Sequence, residues 1–176
     1  KELLKTLSKY ELQWYSFLRP QYADEETAIL MKQSGCRAVF AGLESVDDRI
    51  LINMNKVAKA DQYRRGIEHL KRNDIQVHAN FIVGFPGETD EQFENTIKAV
   101  ETIRFDSAFM FAYSIRPGTP AGDRRDQVSE GIKKARLRRL IDLQNEITTE
   151  INETYLGRTL EVLVEGPSPK DPRKLQ

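Results

Sequence analysis

Strand-like and helix-like hydrophobic patterns alternate along the first part of the chain. Apolar runs with branched or aromatic residues predict four strands, at 12–18, 37–43, 77–83 and 107–115. Apolar residues at helical spacing predict the main helices between them, at 24–34, 60–72 and 89–103. Strands that alternate with helices of this length require parallel pairing through crossover connections. The pattern therefore predicts an α/β fold.

The stretch Val77–Gln92 carries the clearest signal of a site. His78 and Asn80 are two positions apart in a strand, so their side chains face the same way. A glycine turn beginning at Gly84 follows, and Thr89 begins a helix with a capping glutamine three residues on. Such a turn presents free backbone N–H groups to an anionic or polar ligand. An ordinary strand-to-helix connection is the equal alternative.

Polar residues recur where the predicted strands end. In parallel α/β folds, ligands bind at the carboxyl ends of the strands. The candidates for cofactor binding at this rim are Arg19, Glu44, Ser45, Asn80, Gly84 and Tyr113, the last at the start of the stretch Tyr113–Arg116. The alternative is a solvated loop edge in which Arg19 and Glu44 form an ordinary salt bridge. Cys36 maps to the opposite end of the sheet, where we expect it to pack.

The composition changes after Pro120. A polar linker leads to a long helix that Ser129 caps, and residues 159–164 predict a further strand. The first half of this helix is basic, and the candidate contacts to RNA phosphates are Lys133, Lys134 and Arg136. A solvated helix face is the default alternative. We divide the chain into an α/β unit at 1–122, a linker and helix at 123–157, and the start of another module at 158–176.

Composition and charge narrow the functional classes. The 27 Lys and Arg residues balance 27 Asp and Glu residues, so no net charge favours nucleic acid or a membrane. No apolar run approaches the roughly 20 residues that span a bilayer, and we expect no membrane partner. The single cysteine excludes an internal disulfide and favours a cytoplasmic location. One cysteine cannot hold an iron–sulfur cluster, which takes several thiolates.

Several motifs resemble those of radical S-adenosylmethionine (SAM) enzymes. The sequence Phe-Ile-Val-Gly-Phe-Pro-Gly-Glu-Thr at 81–89 resembles the fifth-strand motif of that superfamily. Segments 105–121, 138–147 and 162–172 resemble the sixth strand, the following helix and the first TRAM-domain strand of the tRNA methylthiotransferases. This resemblance is specific from about Ile82 onward. In the first half, the sequence around Gly42–Ser45 and 53–56 instead resembles cobalamin-binding radical SAM enzymes.

The resemblance implies a fold and cofactors. The implied fold is a partial parallel (β/α) barrel of the radical SAM type with about four βα units, then a long helix and the first strand of a truncated TRAM module. The implied cofactor is SAM, with Glu44, Ser45 and Asn80 near its methionine and ribose, and Gly84 and Tyr113 near its adenine or carboxylate. A [4Fe–4S] cluster belongs to the full-length enzyme only, because the Cys-x3-Cys-x2-Cys loop is absent here. We expect this chain alone to be inactive.

Three functions follow from these observations. The first is a fragment of a tRNA methylthiotransferase, which adds a 2-methylthio group to an N6-modified adenosine next to the anticodon, with tRNA as partner of the full-length enzyme. The second is a cobalamin-dependent radical SAM methyltransferase. The third, from another class, is a non-enzymatic RNA-binding fragment. A barrel with open edges also predicts self-association.

Overall fold

Four parallel strands form the centre of the structure, a computed structural model that describes residues 1–159, 164 and 166–175. The strands pair in the order β1-β2-β3-β4, and they are β1 (Trp14–Leu18), β2 (Cys36–Glu44), β3 (Gln76–Val83) and β4 (Ser107–Ala112). The helices are α1 (Glu2–Leu7), α2 (Glu25–Gln33), α3 (Asp48–Asn53), α4 (Ala60–Arg72), α5 (Asp90–Ile103) and α6 (Glu130–Glu153), with a 3-10 turn at Pro20–Tyr22. The predicted α/β fold with parallel strands is confirmed.

The predicted boundaries are close to those observed. β1 begins two residues later than expected, at Trp14, and β4 ends three residues earlier, at Ala112. Residues 160–163 of the strand expected after α6 lie outside the described residues. That strand and the module at 158–176 therefore stay predictions.

Local hydrogen bonds explain where the helices begin and end. The Asp24 carboxylate accepts from the backbone N–H of Thr27 at 2.7 Å and caps α2. Thr89 and Gln92 form the predicted capping box of α5, at 3.3 and 2.9 Å. Gly35, with φ of 90°, follows the end of α2 in the left-handed conformation that glycine adopts without strain.

One face of the sheet is packed against helices. Helices α2, α4 and α6 contact β2, β3 and β4 respectively, and α5 adds its apolar side to the same core. The strand residues on this face are fully buried: Val39, Ala41, Leu43, Val77, Ala79 and Phe81. Side chains alternate in direction along each strand, so the sheet has one buried face and one exposed face.

The open face of the sheet carries a row of aromatic rings across all four strands. The Phe40 ring lies at its centre, with centroids 5.8 Å from Tyr15, 5.4 Å from Phe17, 5.1 Å from His78 and 6.4 Å from Phe109. Phe17 is 84% exposed and Tyr15 72% exposed. The open face therefore presents a row of rings that is apolar except for the His78 imidazole.

The sheet has two edges within the described part of the chain. β1 pairs there with β2 alone and β4 with β3 alone, so each has an unpaired side. The self-association expected from these edges stays a prediction. No helix among the described residues is long and apolar enough to cross a bilayer.

Alanine substitutions at two glycines test how tightly α4 packs against Pro20. A Cβ at Gly66 would collide with the carbonyl oxygen of Pro20, whereas a Cβ at Gly131 in α6 would meet no atom within 4 Å. We expect Gly66→Ala to lower the free energy of unfolding by about 2 kcal/mol, since overpacking outweighs the helix propensity of alanine. Gly131→Ala, the matched control, should raise it by up to about 1 kcal/mol. Urea denaturation measures both, and a Gly66→Ala chain as stable as wild type would contradict the packing.

Candidate functional site

A cavity of about 920 Å³ lies at the carboxyl ends of the strands. Ligand pockets usually occupy about 300 to 1,000 Å³. Strand ends form one side of this cavity, and the loops after α3 and β4 form the other. Its wall includes Glu44, Lys56, Asn80, Phe85, Tyr113 and Arg116. The structure thus brings together three of the predicted cofactor-binding residues: Glu44, Asn80 and Tyr113.

A strand irregularity positions Glu44. The pairing of β2 with β3 shifts register between Gly42 and Glu44, and Glu44 has a left-handed φ of 65°. Such strain in a residue other than glycine is typical of functional sites. The Glu44 carboxylate pairs with the ammonium group of Lys56 at 3.3 Å. The alternative salt bridge between Arg19 and Glu44 is therefore wrong.

Asn80 lines the cavity and carries an unpaired acceptor. Its side-chain oxygen Oδ1 is buried and has no hydrogen-bond partner in the structure. A buried polar atom without a partner costs free energy, and native proteins rarely leave one unsatisfied. A ligand hydroxyl or amino group that reaches this atom would satisfy it.

Two aromatic rings close the cavity beside the glycine turn. The backbone N–H of Tyr113 donates to the carbonyl oxygen of Val83 at 2.8 Å, which holds the chain after β4 against the end of β3. The Tyr113 ring packs edge-on against Phe85, with centroids 5.1 Å apart. These rings give the cavity an apolar wall suited to a planar group.

The other three predicted cofactor-binding residues do not line the cavity. Arg19 is exposed at the end of β1. Ser45 is 2% exposed, and its hydroxyl accepts from the N–H of Asp47 at 3.1 Å in the turn before α3. Gly84 lies in the buried turn after β3, where its φ is 72°. Ser45 and Gly84 thus shape the local backbone, and a contact of these three residues with a ligand stays a prediction.

Four N–H groups of the glycine turn, residues 84–89, already have partners inside the protein. The Gly84 N–H donates to Glu88 Oε2 at 2.7 Å, and the Gly87 N–H donates to the carbonyl oxygen of Asp126 at 2.9 Å. The Glu88 N–H donates to the carbonyl oxygen of Phe85 at 2.9 Å, and the Thr89 N–H donates to Gln92 Oε1 at 2.9 Å. Two of these four bonds close within the turn, and the other two reach Asp126 and Gln92. The expected anion cradle loses these four donors and otherwise stays a prediction.

Glu88 connects the glycine turn to α6. Its carboxylate is buried, and burial raises its pKa although the Gly84 N–H and the Arg136 guanidinium act in the opposite direction. Arg136 donates to Glu88 Oε2 at 2.8 Å and to Asp90 at 2.7 Å. Arg136 is 7% exposed, and this pairing occupies its guanidinium.

The predicted RNA contacts on α6 require correction. Lys133 is fully buried and pairs with Glu130 at 2.8 Å, and Arg136 is bound to Glu88 and Asp90. Neither side chain is accessible to a phosphate. Lys134 alone of the three is exposed. The burial of Lys133 and Arg136 was not predicted from sequence, because a basic cluster on a helix does not reveal which of its members face the core.

The cavity residues fit SAM. Glu44 and Asn80 supply oxygen acceptors for hydroxyl or ammonium groups, and Lys56 and Arg116 supply cations suited to a carboxylate. The rings of Phe85 and Tyr113 suit an adenine. These are the functional groups that SAM carries.

The residues present do not fit an iron–sulfur cluster. Cys36 is the single cysteine, and it is fully buried at the first position of β2. Glu44 ends the same strand eight residues later, about 26 Å away at about 3.3 Å per residue. Among the described residues, no group of three or more His, Cys, Asp or Glu side chains could hold a metal ion.

Similarity to known proteins defines the class. Residues 1–100 match the radical SAM superfamily, and the chain belongs to it. Solved structures agree in fold: coproporphyrinogen III oxidase (HemN) of Escherichia coli aligns over 83% of this chain and 36% of its own, with a TM-score of 0.68 and 17% identity. The radical SAM methyltransferase TsrM of Kitasatospora setae covers 69% of this chain and 26% of its own, at a TM-score of 0.60 and 20% identity.

The relatives found by sequence carry a more specific name than the superfamily does. The tRNA-2-methylthio-N(6)-dimethylallyladenosine synthase of Alkaliphilus oremlandii is 43% identical over 142 residues, 80% of this chain and 30% of the relative. The protein of that name from Aeromonas hydrophila is 47% identical over 135 residues, 76% of this chain and 28% of the relative. The chain thus spans about three tenths of the length of these relatives. An alignment of 142 residues extends before Ile82, so the similarity reaches into the first half.

The environment of Cys36 predicts its reactivity. Burial raises the pKa of its thiol to about 11, so about one molecule in a thousand carries the reactive thiolate at pH 8. We expect the native chain to react with a disulfide reagent at least a hundredfold more slowly than the urea-unfolded chain, and faster as pH rises toward 11. Absorbance of the released thiolate follows both reactions. Equal rates in the native and unfolded chains would contradict a packing role.

Proposed function

We propose that this chain is the SAM- and substrate-orienting part of a tRNA methylthiotransferase. The observation that carries the proposal is the identity of 43–47% with relatives named tRNA-2-methylthio-N(6)-dimethylallyladenosine synthase. The proposed substrate is an N6-modified adenosine next to the anticodon of tRNA. A cytoplasmic location is part of this proposal.

The chain's own residues bind and orient in this function. Glu44 and Asn80 accept hydrogen bonds from SAM, and the Phe85 and Tyr113 rings bound its planar part. Radical chemistry belongs to the bound SAM and to an iron–sulfur cluster held outside these residues. This division of labour agrees with the expectation that the chain alone is inactive.

The two alternative functions have weaker support. The similarity to the cobalamin-containing TsrM structure is 20% in sequence and supports the fold alone. The methylthiotransferase relatives share more than twice that identity over a larger part of the chain. Non-enzymatic RNA binding loses support because Lys133 and Arg136 are buried, although Lys134 remains exposed as a candidate phosphate contact.

A titration of SAM into the chain tests the cofactor site. Asn80→Ala and Glu44→Gln should each weaken SAM binding at least about tenfold, or about 1.4 kcal/mol, because the first removes the amide oxygen and the second removes the carboxylate charge and one of its two oxygens. Glu153→Gln, at the exposed end of α6, is the control and should bind like wild type. Isothermal calorimetry measures the affinities. A folded chain that shows no saturable binding at millimolar SAM would contradict the proposal.

A chimera tests the reaction. The aligned segment of the Aeromonas hydrophila relative is exchanged for the matching residues of this chain in a host that lacks its own enzyme. We expect 2-methylthio-N6-dimethylallyladenosine in the host tRNA, measured by mass spectrometry, and a lower yield with Asn80→Ala. A chimera that accumulates with its iron–sulfur absorbance but forms no modified nucleoside would refute the assignment.

A further inference from the structure

Two buried basic side chains of α6 contact the glycine turn. Lys133 and Arg136 lie three residues apart and thus on one face of the helix. Lys133 is fully buried and Arg136 is 7% exposed. Neither residue lines the cavity. Their burial needs an explanation, because lysine and arginine are rarely buried without a specific partner.

Arg136 fixes the carboxylate that holds the turn. Its Nη1 atom donates to Glu88 Oε2 at 2.8 Å and to the Glu88 carbonyl oxygen at 3.1 Å, while Nη2 donates to Asp90 at 2.7 Å. The same Oε2 atom accepts from the N–H of Gly84 at 2.7 Å. Arg136 thus reaches the first residue of the turn through one shared oxygen atom. Removing it would leave a buried carboxylate without its cation.

Lys133 packs against Gly84, the first residue of the turn. A Cβ at Gly84 would collide with Cγ of Lys133, so the lysine stem fills the space that a side chain would take. The Lys133 ammonium group lies 5.4 Å from the centroid of the Tyr113 ring, which packs against Phe85. Contacts therefore run from α6 to Tyr113 and, through its ring, to Phe85.

We propose that Lys133 and Arg136 are positioning residues for the cofactor cavity. They hold the glycine turn in its left-handed conformation, and the turn in turn sets Phe85 and Tyr113 on the cavity wall. Without Arg136, the buried Glu88 carboxylate draws in water or turns outward, and Gly84 and Phe85 move with it. The choice of SAM as the ligand of this cavity rests on the proposed function, whereas the positioning of the two rings does not.

Arg136→Gln tests the proposal against Arg139→Gln. Arg139 lies three residues further along α6, pairs with Glu94 and contacts the same Phe93 ring as Arg136, but it does not reach the turn. We expect Arg136→Gln to weaken SAM binding at least fivefold at a temperature where the chain is folded. It should also move the Gly84 amide resonance and remove the nuclear Overhauser contact between the Phe85 and Tyr113 rings. Arg139→Gln should leave all three unchanged.

Arg136→Lys covers the case in which Arg136→Gln does not fold. Lysine keeps a positive charge for Glu88 but lacks the fork that also reaches Asp90, so a smaller change in the same three measurements is expected. A folded variant of Arg136 with wild-type SAM affinity, Gly84 resonance and ring contact would overturn the proposal. If the wild-type chain binds no SAM, the proposed function fails, while the Gly84 and ring measurements still decide whether Arg136 positions the wall.

Discussion

The buried carboxylate of Glu88 is the constraint on which the site depends. It accepts from the backbone of the glycine turn and from a guanidinium group of α6, so a turn, a helix and a strand end share one charged centre. A buried charge is stable only while its partners stay in place. The position of α6 and the shape of the cavity wall are therefore linked, although they are more than 40 residues apart in sequence.

The fold could be predicted from sequence because its determinants are local. Alternation of apolar residues marks the strands, and the capping groups of Asp24 and Thr89 act within four residues of themselves. The first residue of β1 and the last residue of β4 were less predictable. These strands have an unpaired side in the described part of the chain, and pairing rather than composition decides where a strand stops.

The site was predicted in part. Glu44, Asn80 and Tyr113 lie together because parallel strands bring their carboxyl ends to one edge, a rule that needs only the order of elements. The pairing of Glu44 with Lys56 depends on a register shift that no local pattern indicates. The burial of Lys133 likewise depends on how α6 packs, because a helix's sequence periodicity locates its apolar stripe but not its buried cations.

The aromatic row around Phe40 gives the two faces of the sheet unequal roles. The helix-covered face has already released its water, whereas Phe17, Tyr15 and Phe109 remain hydrated. Covering apolar surface releases about 25 cal/mol for each Å² removed from water. A ligand that covered this face would gain affinity without any polar contact, by displacing the water above the rings. The polar residues at the cavity end are then free to determine which ligand binds and in which orientation.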